Sequence, residues 1–243
     1  MAAKQDYPNA FYYLGLLYYE GEYIEQDINK AIHYFSLAAS RNHEEAQFKL
    51  GLIYYKGKYV ERDISKAIHY YSLAANQSYP PAQFNLGFLY YEGKYIKQNM
   101  NKAILYFYLS AKKGYIQSDF VLGVIYSQGV KIERNIEEAI HYYNEGSNHN
   151  DQYSKNNLGI IYKYHNYKKN PIEYFEEAIR QKNDSVSMYN LGHIYFYGEN
   201  VNINIDKSIE LLIKSSMKDF EPSKILLSLY LIDKMRGQII NEE

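Results

Sequence analysis

The chain contains no cysteine and no tryptophan, and its charges nearly cancel, with 27 Lys and Arg against 28 Asp and Glu. Without cysteine there is no disulfide, no thiolate nucleophile and no thiolate metal site. A chain this close to neutral lacks the broad positive field that holds nucleic acid or acidic lipid. Long apolar runs are missing too: the longest, "FYYLGLLYY", is nine residues with Gly15 inside it, and the opening "MAAKQDYPNA" has no signal-peptide core. The expectation is a cytoplasmic chain that neither enters the secretory pathway nor inserts in a membrane. The sequons Asn76-Gln77-Ser78 and Asn183-Asp184-Ser185 are then read as chance. Catalytic signatures are also absent: no phosphate-binding loop, no G-x-S-x-G, no H-E-x-x-H. Ser215 to Lys218 spells S-x-x-K without a companion K-T-G. A non-enzyme without cofactor or metal is expected.

What is abundant is tyrosine, 31 residues, and much of it falls in a phrase that returns: "LGLLYYEGEYIEQD", "LGLIYYKGKYVERD", "LGFLYYEGKYIKQN". The leading leucines are Leu14, Leu50, Leu86, Leu122, Leu158, Leu191 and Leu226, spaced by 36, 36, 36, 36, 33 and 35 residues. A strict short period means stacked copies of one supersecondary unit, none able to bury its apolar face alone.

Within a copy, Ala10, Tyr13, Leu14, Leu17 and Tyr18 have the spacing of one helical stripe, which predicts a first helix, A. Gly21 and its copies Gly57, Gly93, Gly129 and Gly198 suit a helix end that needs positive φ. Asp27 and its copies Asp63, Asn99, Asn135 and Asn204 suit the N-cap of a second helix, B, and Asn135 with Glu138 has the capping-box spacing. Helix B carries Ala31, Tyr34, Phe35 and Ala38 on one face. Gly15 and its copies, inside helix A, point to a close helix approach, since glycine there costs up to about 1 kcal/mol against alanine. Glu44-Glu45 and Glu137-Glu138 fall at helix starts, where the helix dipole accounts for them.

These residues, A-x-x-x-L-G-x-x-Y-x-x-G followed by [DN]-x-x-K-A-x-x-[YF]-[YF]-x-x-A-A, resemble the Sel1-like repeat, a longer-looped relative of the tetratricopeptide repeat. The match runs over about residues 9 to 230. The resemblance implies an all-α fold, an α/α superhelical solenoid of about six and a half helix-turn-helix repeats, with helix A lining a concave side. The units lie near 9–44, 45–80, 81–116, 117–152, 153–186 and 187–220, with a half unit at 221–235, an extension at 1–8 and a polar tail at 236–243. The fifth unit departs from the pattern: it lacks the loop glycine and has Pro171 where the alanine stands.

The resemblance also implies an adaptor that holds other proteins, and it directs attention to helix A. Two residues before each leading leucine stand Tyr12, Phe48, Phe84 and Phe120; two after stand Leu16, Leu52 and Phe88; five after stand Tyr19, Tyr55 and Tyr91. With Glu20, Lys56 and Glu92 at the edge they form the candidate partner-binding groove for a peptide or helix, because aromatics dominate binding hot spots. The alternatives are packing against helix B, a regulatory solenoid of a larger enzyme or complex, and single-stranded RNA stacked on the same rings. The mixed edge charges disfavour the last. A first unit without an obvious polar capping helix and a last that is half a repeat make self-association possible. His33, His69 and His141 recur at one place in helix B, about 8–10 Å apart in neighbouring copies, too far to share a metal.

Overall fold

The computed structural model describes residues 7–165, 169–199 and 201–240, with side chains through residue 232. Residues 1–6 of the expected extension and 241–243 of the expected tail lie outside the described residues. The helices come in A/B pairs: α1 (Pro8–Glu20) with α2 (Ile28–Ala39), α3 (Glu44–Lys56) with α4 (Ile64–Asn76), and α5 (Pro80–Glu92) with α6 (Met100–Lys112). Next come α7 (Ile116–Gln128) with α8 (Ile136–Asn148), α9 (Gln152–Tyr164) with α10 (Pro171–Lys182), and α11 (Ser185–Tyr197) with α12 (Ile205–Ser216). A last helix, α13 (Glu221–Ile240), continues past the expected end at residue 235. The main contacts run between consecutive helices, so the chain is an α/α solenoid of helix-turn-helix repeats. Among the described residues no helix is long and apolar enough to cross a membrane.

The chain divides into two units, residues 1–122 with 129–133, and residues 123–128 with 134–243. In the first, each copy is locked by a ring of helix B seated on the glycine of helix A. A Cβ built on Gly15 would lie 2.5 Å from the Phe35 ring; at Gly51 it would lie 2.6 Å from Tyr71, and at Gly87 2.7 Å from Phe107. All three rings are essentially fully buried, each removing apolar surface worth about 1.5–3 kcal/mol. Ala31, Ala67 and Ala103, fully buried, let the same helices approach one turn earlier.

The expected helix ends are present. Gly57, at φ 62°, returns its N–H to Ile53 O at 3.1 Å. Asp63 accepts from Lys66 N at 2.9 Å, and its own N–H donates to Tyr54 O at 3.1 Å, closing the loop. The residue before each N-cap adds a clamp that the sequence did not disclose: Gln26 Nε2 donates to Tyr19 O (2.8 Å), Arg62 Nε to Tyr55 O (2.9 Å) and Gln98 Nε2 to Tyr91 O (2.7 Å). Outside the loops, Tyr18, Tyr54 and Tyr90 stack nearly parallel on Tyr34, Tyr70 and Tyr106, at 5.7, 6.0 and 5.8 Å. The ammonium groups of Lys30, Lys66 and Lys102 lie over the free faces of the Tyr18-class rings, about 5 Å from each centroid. Each ring pair contributes about 0.5–1.5 kcal/mol beyond its buried area.

The second unit keeps the seat: Gly123 would meet Tyr143 at 2.5 Å and Gly159 would meet Phe175 at 2.7 Å. In the departing fifth copy, Pro171 is the first residue of α10, capped by Asn170. Proline suits that position because no helical hydrogen bond is asked of its nitrogen. Helix B therefore starts where the alanine stood, about one turn late, and still delivers Phe175 to its glycine. Charged side chains enter here as well. Lys155 is buried and pairs with Glu177, while Lys163 forms an ion pair with Glu199 at 2.7 Å beside His193.

Two outcomes follow from this packing. Gly87→Ala gains helix propensity worth about 1 kcal/mol, but its methyl invades the Phe107 ring at a cost of about 1–3 kcal/mol. The urea midpoint is expected to fall, whereas Gly192→Ala, whose nearest neighbour is flexible Leu212 at 3.1 Å, leaves it nearly unchanged. His193 is held below its usual 6.5 by burial and then by the Lys163 ammonium, with Glu199 opposing. The unfolded chain therefore takes the proton first as pH falls, and the stability due to neutral His193 is lost below about pH 6.5. His193→Gln should lose less urea resistance than the parent between about pH 7.5 and about pH 5.5.

Candidate functional site

The structure separates the groove residues by job. Tyr12, Phe48 and Phe84 are half-buried wedges between copies: Tyr12 stacks on His43 (4.6 Å) and tilts on Phe35 (5.9 Å); Phe48 meets Tyr79 (5.3 Å) and Tyr71 (5.7 Å); Phe84 meets Tyr115 (5.1 Å) and Phe107 (5.7 Å). Phe120, at the same place in α7, is also half-buried. Much of this set serves packing. Tyr19 and Tyr55 lean edge-on against loop rings of the next copy, Tyr59 at 5.9 Å and Tyr95 at 6.4 Å, and Tyr91 carries the Lys131 ammonium at 4.5 Å. Leu16, Leu52 and Phe88 are half-buried, and Glu20, Lys56 and Glu92 are exposed.

Five of these residues meet in one place. Leu52, Tyr55 and Lys56 from α3 face Phe88 and Glu92 from α5 across a hollow of about 270 Å³, completed by Tyr71, Asn85 and Leu89. Its walls are apolar, and Lys56 and Glu92 bring opposite charges to its lining. Tyr71 is 1% exposed, and its hydroxyl has no hydrogen-bond partner among the described residues. Burial holds that hydroxyl well above the usual tyrosine range, while the nearby Asn85 amide pulls it part-way back without reaching bonding geometry. A buried hydroxyl without a partner costs about 1–3 kcal/mol.

Sequence reasoning did not select Tyr71 or Asn85. The available signal was the helix-B seat itself, where Phe35 and Phe107 are phenylalanine and Tyr71 is not. Tyr12, Phe48 and Phe84 were visible as aromatics, but the rings that occupy them come from helix B and from the short turns ahead of helix A. His33, His69 and His141 are exposed, each ring edge-on to the following tyrosine at 5.4, 5.3 and 5.0 Å. No group of acidic, histidine or cysteine side chains among the described residues is arranged to hold a metal ion.

A family model described as Sel1 repeat matches residues 3–43, 44–79, 80–115, 117–151 and 185–220. The stretch it omits holds the fifth copy, with its displaced helix B. Among solved structures, a protective antigen of uropathogenic Escherichia coli displaying an SLR fold is similar at 24% identity and TM-score 0.87, covering 96% of this chain and 51% of that one. A Sel1 repeat protein from Oxalobacter formigenes is similar at 24% identity and TM-score 0.74, covering 91% of this chain and 65% of that one. The chain thus spans about half of the first and under two thirds of the second, and at these identities the likeness is one of fold. No curated protein matches the chain.

The buried Tyr71 hydroxyl gives a paired expectation. Tyr71→Phe removes a polar atom that bonds nothing and is expected to raise the urea midpoint, by up to about 1 kcal/mol. Tyr143→Phe, whose hydroxyl lies 3.2 Å from Ser127 Oγ, is expected to lower it by about 0.5–1.5 kcal/mol.

Proposed function

The chain belongs to the Sel1 repeat family, and from that membership we propose that it is a non-enzymatic scaffold whose first unit receives a segment of another protein in the hollow between α3 and α5. Sel1 repeats typically mediate protein–protein interaction and are generally not enzymes. The observation that carries the reading is the apolar, aromatic-walled hollow that Leu52, Tyr55, Phe88 and Tyr71 line between α3 and α5. Leu52, Tyr55 and Phe88 supply contact area with few rotatable bonds, the property that makes aromatic side chains effective anchors for a partner. Lys56 and Glu92 add charges of opposite sign that favour one orientation of the bound segment. A single-stranded nucleic acid is disfavoured, since the lining pairs one cation with one anion and offers no basic track for phosphates.

Site-specific photo-crosslinking tests this. A benzophenone side chain is placed at exposed Lys56, beside the hollow, or at exposed His69 on helix B, and the protein is irradiated in native lysate. Crosslinking to a discrete protein from position 56 and not from position 69 is expected. Equal labelling from both, or labelling from position 69 alone, rejects the site.

A further inference from the structure

The second unit holds a hollow in the same register. Each of the eight residues around the first hollow has its counterpart 72 residues on: Tyr71 becomes Tyr143, Asn85 becomes Asn157, Leu52 becomes Val124 and Phe88 becomes Ile160, and the rest follow. The cause lies in an alternation over the first four copies. The helix-B seat is occupied by Phe35, Tyr71, Phe107 and Tyr143 in turn, and the residue before the N-cap is Gln26, Arg62, Gln98 and Arg134 in turn. Copies two and four therefore carry a tyrosine seat and an arginine clamp together.

The two hollows nevertheless differ in chemistry. In the first unit Arg62 is spent on aromatic partners: Nη2 donates to Tyr95 Oη at 2.7 Å, and the guanidinium stacks on Tyr55 and Tyr95. In the second, Ser127 stands where Tyr55 stood. The volume grows to about 360 Å³, and Arg134 now lines the hollow. Its Nε still clamps Ser127 O at 2.8 Å, and its Nη2 lies 3.0 Å from His165 Nε2. Arginine can only donate, so His165 Nε2 accepts there. Gln128 and Tyr164 replace the Lys56 and Glu92 of the first hollow. Arg134 is thus the one formal charge among the described lining residues, and no carboxylate among the described residues pairs with it.

We infer that this second hollow is a binding site for an acidic side chain of a protein partner, a glutamate whose stem lies on Val124, Ile160 and Ile161 and whose carboxylate is held by Arg134. Guanidinium and carboxylate match in geometry as well as charge. The polar floor of Ser127, Tyr143 and Asn157 faces the same space, and the apolar walls strengthen a charge pair that forms within them. The site lies in the other unit from the α3/α5 hollow and stands or falls separately from it.

The natural control is written in the chain: Arg134→Gln installs the residue that performs the same backbone clamp at positions 26 and 98, removing the charge while keeping the loop. The probes are three peptides: acetyl-Ala-Leu-Glu-Leu-Ala-amide, its Gln counterpart, and the Gln peptide with a free terminal carboxylate. Their binding to the full chain is followed by proton–nitrogen NMR at Arg134 Nε and the Asn157 amide. Saturable shifts are expected from the Glu peptide, with affinity about tenfold above the Gln peptide, lost in Arg134→Gln while the Gly123 and Tyr143 backbone signals stay in place. Equal response to Glu and Gln peptides, an undiminished response in Arg134→Gln, no response to the Glu peptide, or response to the free-terminus peptide alone overturns the assignment. Absence of these shifts in the unsubstituted chain, with crosslinking from position 56 intact, would sink this site and leave the first unit's reading standing.

Discussion

A side chain missing from one helix and a ring supplied by the next hold this protein together. In each of the first five copies, the glycine one residue after the leading leucine leaves space that a Phe or Tyr of helix B fills at distances no Cβ would tolerate. Three consequences follow from the seat. The helices of a pair approach closely, the aromatic is buried, and the residues flanking the glycine on helix A keep the same order in each copy. The wedge at Phe48, the wall at Leu52 and the edge at Lys56 are all measured from Gly51. The sixth copy, where a Cβ on Gly192 would lie 3.1 Å from the Leu212 side chain, shows a less tight version of the same joint.

Tyrosine is abundant because the repeat uses it in three ways with little in common. Tyr18 and Tyr34 form a parallel stack beneath a lysine and stabilise the pair from outside. Tyr55 leans on the next loop and walls a hollow. Tyr71 fills a seat that phenylalanine fills elsewhere, and brings a hydroxyl to where none is needed for packing. The first use explains most of the repetition; the third is where the chemistry of the copies begins to diverge.

The periodic leucines, the loop glycines and the Asp or Asn caps made the helix pairs legible before any coordinates, because each depends on a local rule of spacing or backbone geometry. Pro171 signalled the odd copy correctly for the same reason. The site was less legible. Whether Phe84 faces a partner or Tyr115 depends on which ring the following turn delivers, and the turn is set by left-handed residues as unlike as Asn42, Ser78 and Gly114. Lys155 reads as a surface residue, yet it is buried against Glu177. The clamp from Gln26 or Arg62 back to a helix-end carbonyl is invisible in a sequence where Gln and Arg look interchangeable with any polar loop residue.

Because the main contacts join consecutive helices, the chain segments that must find one another during folding are short. Closing a loop of seven residues, Gly21 to Asp27, costs little entropy compared with bringing distant strands together. Within each unit the nucleus can therefore be any helix pair that forms its glycine seat first, with growth outward from it. Rapid assembly with several parallel starting points is the kinetic counterpart of this repeat, and it means that the order of folding events is set by which seat closes fastest.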